Sequence, residues 1–410
     1  MEETIATEEH AAAMPAARPA TDTVLALIFA ISAAHLLNDT IQALLPSIYP
    51  ILKNSYQLSF TQLGLITFTF QLTASLLQPL VGVITDRKPL PYALPVGMTL
   101  TLIGLISLAN STSFHAILMS AAMIGSGSAI FHPEASRIAF MAAGKRRGLA
   151  QSVFQVGGNA GSAIGPLLAA LVIVPHGQRS IMAFSAVALL GVVILSFIGR
   201  WQSQNFHRMK PKAKTGGAHA VVHSRKTVAL ALAVLVALTF SKYVYLSSLT
   251  SYYTFYLIDR FHISVQSSQY YLFLLLAAVA AGTIAGGPIG DRIGRKRVIW
   301  VSILGVAPFS LLLPHVGLGM TAALSVVIGL VLASAFSAIL VYAQELLPGK
   351  VGMIAGLFFG LAFGIAGIGS AVLGKVADVH GINFVFQICA FLPLIGILTV
   401  FLPDVETEKD

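Results

Sequence analysis

Four ionisable residues stand inside long apolar stretches of this chain: Asp39, Glu134, Arg137 and Lys242. Insertion scales charge roughly 2.5–3.5 kcal/mol for such a residue in a bilayer, so each points to a functional role, either proton exchange or a grip on an opposite charge. Glu134 and Arg137 stand three residues apart, which stacks them on one helix face. Arg137 precedes Lys145 by eight residues and so lies about 12 Å from the basic loop that follows, near the middle of an apolar core. Two readings stay open for this pair. Arg137 binds an anion while Glu134 exchanges protons, or the two form an ion pair locking their helix to a neighbour. Pro133 is placed to kink the helix toward a cavity.

Asp39 belongs to a polar stripe with His35, Asn38 and Gln42 on an otherwise apolar helix. A stripe of four favours cavity lining over simple interhelical packing, with Asp39 as a proton-coupling residue beside a histidine, the residue type that titrates near neutral pH. Lys242 follows Asp39 by 203 residues at a similar depth. The expectation is that these two approach each other and close one end of the molecule, the alternative being that Lys242 serves an anionic ligand. Tyr243 and a run of hydroxyls through Thr254 supply a further wall, the upper tyrosines alternatively forming an interfacial belt. Gln151, Gln155 and Asn159 recur every four residues as a third wall. No catalytic spacing, histidine ligand cluster or cofactor motif is visible, so neither an enzyme nor a metal or cofactor site is expected. The single cysteine excludes an intramolecular disulfide.

The elements that must position these residues follow from composition. Hydrophobic residues make up 56% of the 410 and charged residues 10%, with a mean hydropathy of +0.83. Such a chain cannot cover a water-soluble globule, and a lipid bilayer is its natural medium. Apolar stretches of helical length recur at 23–50, 60–84, 91–110, 114–140, 148–173 and 179–199, then at 227–257, 267–289, 297–314, 318–346, 351–376 and 382–402. The expected class is therefore an all-α integral membrane protein with twelve transmembrane helices in two six-helix repeats around a central cavity. Its parts are an N-terminal tail (1–22), a first bundle (23–199), a linker (200–226), a second bundle (227–402) and a C-terminal tail (403–410).

The linker holds Arg200, Arg208, Lys210, Lys212, Lys214, Arg225 and Lys226 with no acid. Basic clusters also sit at 87–88, 145–147 and 292–297, whereas the opposite loops carry only Lys53, Arg179, Arg260 and Lys375. Positive loops stay in the cytoplasm, which places both termini there and accounts for the basic pI near 9.7 without a nucleic-acid partner. The halves are related in sequence: Asp86 and Asp291 lie 205 residues apart, and Gly148 and Gly352 lie 204 apart, as parallel repeats require.

The stretch 287-GPIGDRIGRK-296, in a basic loop two helices into the second half, resembles the signature of the major facilitator superfamily. The resemblance covers residues 23–402 and implies a transporter fold with a conformational latch at Gly287, Asp291, Arg292, Gly294 and Arg295. In the first half Gly82, Asp86 and Arg87 survive while Pro89-Leu90-Pro91 replaces the rest, so the resemblance implies a weaker latch there. The segment 161-GSAIGPLLAA-170 resembles that of proton-coupled drug antiporters, ending in alanines where that pattern has glycines. The stretches 35-HLLNDTIQALLP-46 and 131-FHPEASR-137 are similar to the bacterial fosmidomycin-resistance proteins. That likeness implies a monomer in the bacterial inner membrane that exports a small anionic phosphonate drug in exchange for protons. The same cations suit a proton symporter or an exchanger of small organic anions, so direction stays open.

Overall fold

The computed structural model of the protein describes residues 24–87, 90–143, 147–205, 224–347 and 351–403. Among them are twelve helices long and apolar enough to cross a bilayer. They are α1 (Leu25–Ser47), α2 (Phe60–Val81), α3 (Ala93–Asn110), α4 (Phe114–Ala139), α5 (Val153–His176) and α6 (Gln178–Gln204) in the first half. The second half contains α7 (Arg225–Phe261), α8 (Val265–Ile284), α9 (Arg295–His315), α10 (Leu318–Gln344), α11 (Gly360–His380) and α12 (Ile382–Phe401). A backbone in hydrocarbon must satisfy its own hydrogen bonds, which leaves helices as the means of crossing for segments this apolar. The N-terminal tail, residues 206–223 of the linker and most of the C-terminal tail lie outside the described residues.

Local chemistry sets the helix ends. The Ser224 hydroxyl accepts the Thr227 N–H to begin α7. Ser59 and Gln62 cap each other before α2: the Ser59 hydroxyl accepts the Gln62 N–H, and the Gln62 side chain accepts the Ser59 N–H. Gly294, at φ +90, makes the turn between α8 and α9, a conformation that suits glycine alone. This is the one described residue of the signature stretch whose backbone explains its type.

Glycines set the spacing within the first half. Gly157, Gly161 and Gly165 recur every four residues on α5 and press onto α1 at Ser32, Leu36 and Ala43. The antiporter-like segment at 161–166 is thus the place where two helices touch backbone to backbone.

The halves meet at one end. Gly64 of α2 packs where an added methyl would stand 2.6 Å from the Ser370 carbonyl oxygen of α11, and Gly374 packs equally tightly on Phe60. Gln266 and Gln269 of α8 donate to the carbonyls of Ala170 (3.1 Å) and Ser47 (2.8 Å) in the other half. The upper tyrosines belong to this packed end and form no lipid-facing belt: Tyr252, Tyr253 and Tyr256 are fully buried, and Tyr252 donates to the Ser370 carbonyl at 2.6 Å. Toward the opposite end, Gly360 and Gly364 of α11 face open space while Gly367 still touches α2, so the halves diverge. Close approach to the other half along α11 therefore falls at Gly367 and Gly374 and not at Gly360 or Gly364.

Gly161→Val should wedge α1 from α5 and lower stability by about 2 kcal/mol, the scale of an overpacked core. Gly360→Ala should leave stability unchanged or slightly raised, and thermal unfolding in detergent separates the two.

Candidate functional site: a cavity between the halves

A cavity of about 400 Å³ lies between the halves, walled by α1, α2, α4 and α5 on one side and α7, α8, α10 and α11 on the other. Asp39 and Lys242 both line it, one from each half.

Asp39 sits in a dense polar cluster. One carboxylate oxygen lies 3.3 Å from His35 Nε2, and the other lies 3.6 Å from Nε2 of His132 on α4. Asn38 and Gln42 donate side-chain N–H groups to the carboxylate at 3.0 and 3.4 Å. The Ser128 hydroxyl in turn donates to the Gln42 side-chain oxygen at 3.1 Å. Both imidazoles are fixed from behind. His35 Nδ1 donates to the Phe154 carbonyl at 2.8 Å, its ring stacked on the Phe154 ring, and His132 Nδ1 donates to the Ser128 carbonyl at 3.0 Å. Gly158 leaves room for this arrangement, because any side chain there would strike the His35 ring and the Asp39 carboxylate.

The two carbonyls favour one tautomer of each ring. A carbonyl only accepts, so each Nδ1 carries a hydrogen and each Nε2 faces the carboxylate. A neutral ring turns a lone pair toward a lone pair there, and one proton per contact converts the clash into a charge-assisted hydrogen bond. The trio thus has room for zero, one or two protons, its net charge running from −1 to +1. The three ligand-type atoms lie within 4.8 Å of one another, so the fold does assemble the histidine cluster that the linear sequence hid. Two imidazoles and a carboxylate also suit other small cations, but protons suffice for the contacts seen.

Lys242 is surrounded differently. It is only 5% exposed, its ammonium reaches the Ala333 carbonyl at 3.4 Å, and it stands 5.5 and 5.6 Å from the ring centres of Tyr243 and Phe336. Cation–π contact and one long hydrogen bond give partial compensation for a buried charge. Among the described residues no carboxylate lies within 4 Å of it. The expected approach of Asp39 and Lys242 is therefore corrected: Asp39 is engaged by its own half, and α2 against α11 with α5 against α8 closes the joined end.

His35, Asp39, Gln42, Gln155, Asn159, Lys242 and Tyr243 all stand on the cavity wall. Asn38 does not. It is fully buried one helical step from Asp39 and holds that carboxylate in place. Glu134 and Arg137 are also absent from the wall. Glu134 is 1% exposed and pairs with Arg137 at 3.4 Å. The reason is helical phase: Ser128 and His132 face the cavity from α4, and Glu134 lies about 200° around the helix from His132. The pair lies within α4 itself, and Pro133 does not bring these charges to the cavity wall. Sequence reasoning missed His132, although the spacing of Ser128 and His132 repeats the i, i+4 spacing of His35 and Asp39. It also missed Gln71, whose side-chain oxygen on the wall has no partner among the described residues, as is true of the Asn159 nitrogen. The side chains of Gln151, Gly82, Asp86, Arg87, Gly287, Asp291 and Arg292 lie outside the described residues. Gly294 and Arg295 stand at the turn into α9.

Twelve membrane-length helices in two halves around a central cavity are the frame of a transporter, and the sequence profile of the Major Facilitator Superfamily matches residues 31–368 and 256–410. The chain belongs to that superfamily: a multi-pass membrane protein that moves small solutes by alternating access. Among its relatives, the fosmidomycin resistance protein of Escherichia coli is 56% identical over 393 residues, covering 95% of each chain. An uncharacterized transporter of the same superfamily from Bacillus subtilis, YfnC, is 45% identical over 397 residues, covering 96% of each. The fold is shared with the nucleoside transporter NupG (TM-score 0.69, 14% identity, 91% of this chain and 98% of that one). It is shared too with an inward-facing bacterial homologue of the human lysosomal transporter Spinster (TM-score 0.71, 14% identity, 92% and 94%).

Gly158→Ala should push the His35 ring off Phe154 and cost about 1–3 kcal/mol, the range for an added methyl in a packed interior. Unchanged thermal stability, with His35 still on Phe154 in a structure of the variant, would overturn this account of the glycine.

Proposed function

We infer that the chain exports small anionic solutes, fosmidomycin-like phosphonates among them, across the bacterial inner membrane by proton antiport. The observation that carries this reading is the division of the cavity: a buried lysine, Lys242, on the second half, and the clustered side chains of Asp39, His35 and His132, the trio that would hold the protons, on the first. Lys242 grips the anion with tyrosine and phenylalanine rings beside it, and Gln71, Gln155 and Asn159 supply hydrogen bonds. The trio takes up protons when the cavity faces outward and releases them when it faces the cytoplasm. Its loading is therefore linked to the direction of the cycle. The 56% identity with a fosmidomycin resistance protein supports the solute class. The basic loops support cytoplasmic termini, which makes the joined end of the halves the periplasmic one. Transport by a single chain is part of this reading, since one chain encloses the whole cavity.

Co-transport is the second reading, and one observation favours it. Each proton added to the trio makes the cavity more positive, which draws an anion in with the proton.

Proteoliposomes carrying a pH gradient of either sign distinguish the two. Antiport predicts that fosmidomycin accumulates on the more acidic side, and accumulation on the other side would replace export with symport. Lys242→Gln should lower the transport rate roughly tenfold or more through loss of a charge-assisted contact, with Lys242→Arg retaining part of it. Asp39→Asn should abolish accumulation driven by the pH gradient yet leave solute counterflow, which needs no net proton movement. Gradient-driven accumulation persisting in Asp39→Asn would remove the trio from the coupling step.

A further inference from the structure

Asp378, near the end of α11, belongs to neither the cavity nor the signature loops. Its carboxylate accepts three hydrogen bonds from the opposite half: the Phe60 N–H at 2.7 Å, the Thr61 N–H at 2.8 Å and the Thr61 hydroxyl at 2.5 Å. Phe60 and Thr61 open α2, so these are two of the donors that a helix start leaves without a partner of its own. The local capping pair of Ser59 and Gln62 accounts for the Gln62 N–H, and the Ser59 side chain is also a hydrogen-bonding neighbour of the Asp378 carboxylate. The first turn of α2 is thus capped in two parts, one by its own sequence and one by a helix 317 residues away. A carboxylate at a helix N-terminus also meets the positive end of the helix dipole.

The neighbourhood makes this contact specific to one conformation. Gly64 and Gly374 bring the α2 and α11 backbones together within a turn or so of the cap, and Lys53 lies over the Phe60 ring at 4.3 Å. When the halves part at this end during alternating access, Asp378 must leave α2, and water takes over the Phe60 and Thr61 donors.

We propose that Asp378 is a positioning residue of the transport cycle: it caps α2 across the two halves and sets how strongly the cavity stays closed at this end. The proposal rests on alternating access alone and not on the cargo or the coupling ion. Ser59 and Gln62 keep α2 helical without Asp378, so its loss changes the balance between conformations and leaves the helix intact.

The test measures a distance. Spin labels at Ser55→Cys and Arg260→Cys, one in each half at this end, are placed in a Cys389→Ala background. The parent should show one narrow, short distance. In Asp378→Asn, which no longer offers a charged acceptor to three donors, a longer population should rise about fivefold relative to the short one, the scale of losing a helix cap. Asp378→Glu should keep the short distance, because the charged acceptor remains. Thr61→Val, which removes only the hydroxyl donor, should give an intermediate shift, and it decides the matter if Asp378→Asn does not fold. Distributions identical to the parent in both Asp378→Asn and Thr61→Val would overturn the proposal. So would an equal rise in Asp378→Glu, since that would make the residue's size matter and not its charge.

Discussion

The seam between α1 and α5 is the constraint on which the site depends. Gly157, Gly161 and Gly165 remove the side chains that would hold the two backbones apart. Close approach brings the Phe154 carbonyl to His35 Nδ1, and that hydrogen bond aims Nε2 at Asp39. Without the seam His35 would have neither a fixed tautomer nor a fixed direction. Gly158, the neighbour of Gly157, extends the same logic into the polar cluster by leaving space for it.

The two halves share a topology yet divide their chemistry. In the first half a carboxylate is surrounded by two imidazoles and two side-chain amides, one of which is held in turn by Ser128. In the second half Lys242 is left with aromatic rings and a long hydrogen bond to a carbonyl. Burying a cation with so little compensation is costly. The joined end works on another principle. It is held by glycine contacts, tyrosines and helix-end hydrogen bonds, which can exchange with water one at a time as the halves rock.

Much of this was legible in advance, for definite reasons. Twelve apolar stretches give twelve helices because hydrocarbon leaves the polar backbone no hydrogen-bond partner but itself. The stripe of His35, Asp39 and Gln42 was visible because one helix face obeys a fixed period, and a polar face amid apolar neighbours needs somewhere wet to point. The same period read too loosely misplaced three residues. Asn38 is one step off the stripe, and Glu134 with Arg137 points away from the face that carries Ser128 and His132.

By itself, then, the sequence determined the solvent, the number of crossings, the repeat and which residues were too polar to be idle. These depend on composition and on spacing within one helix, where geometry is nearly fixed. Only the tertiary structure decided partnerships: His132 with Asp39, Phe154 with His35, Lys242 with the Phe336 ring, Asp378 with the start of α2. Each joins different helices, so it is set by how α1, α5, α7 and α11 are rotated and spaced against their neighbours. Those rotations come from the packing of many side chains and glycines at once, and no single stretch of sequence contains them.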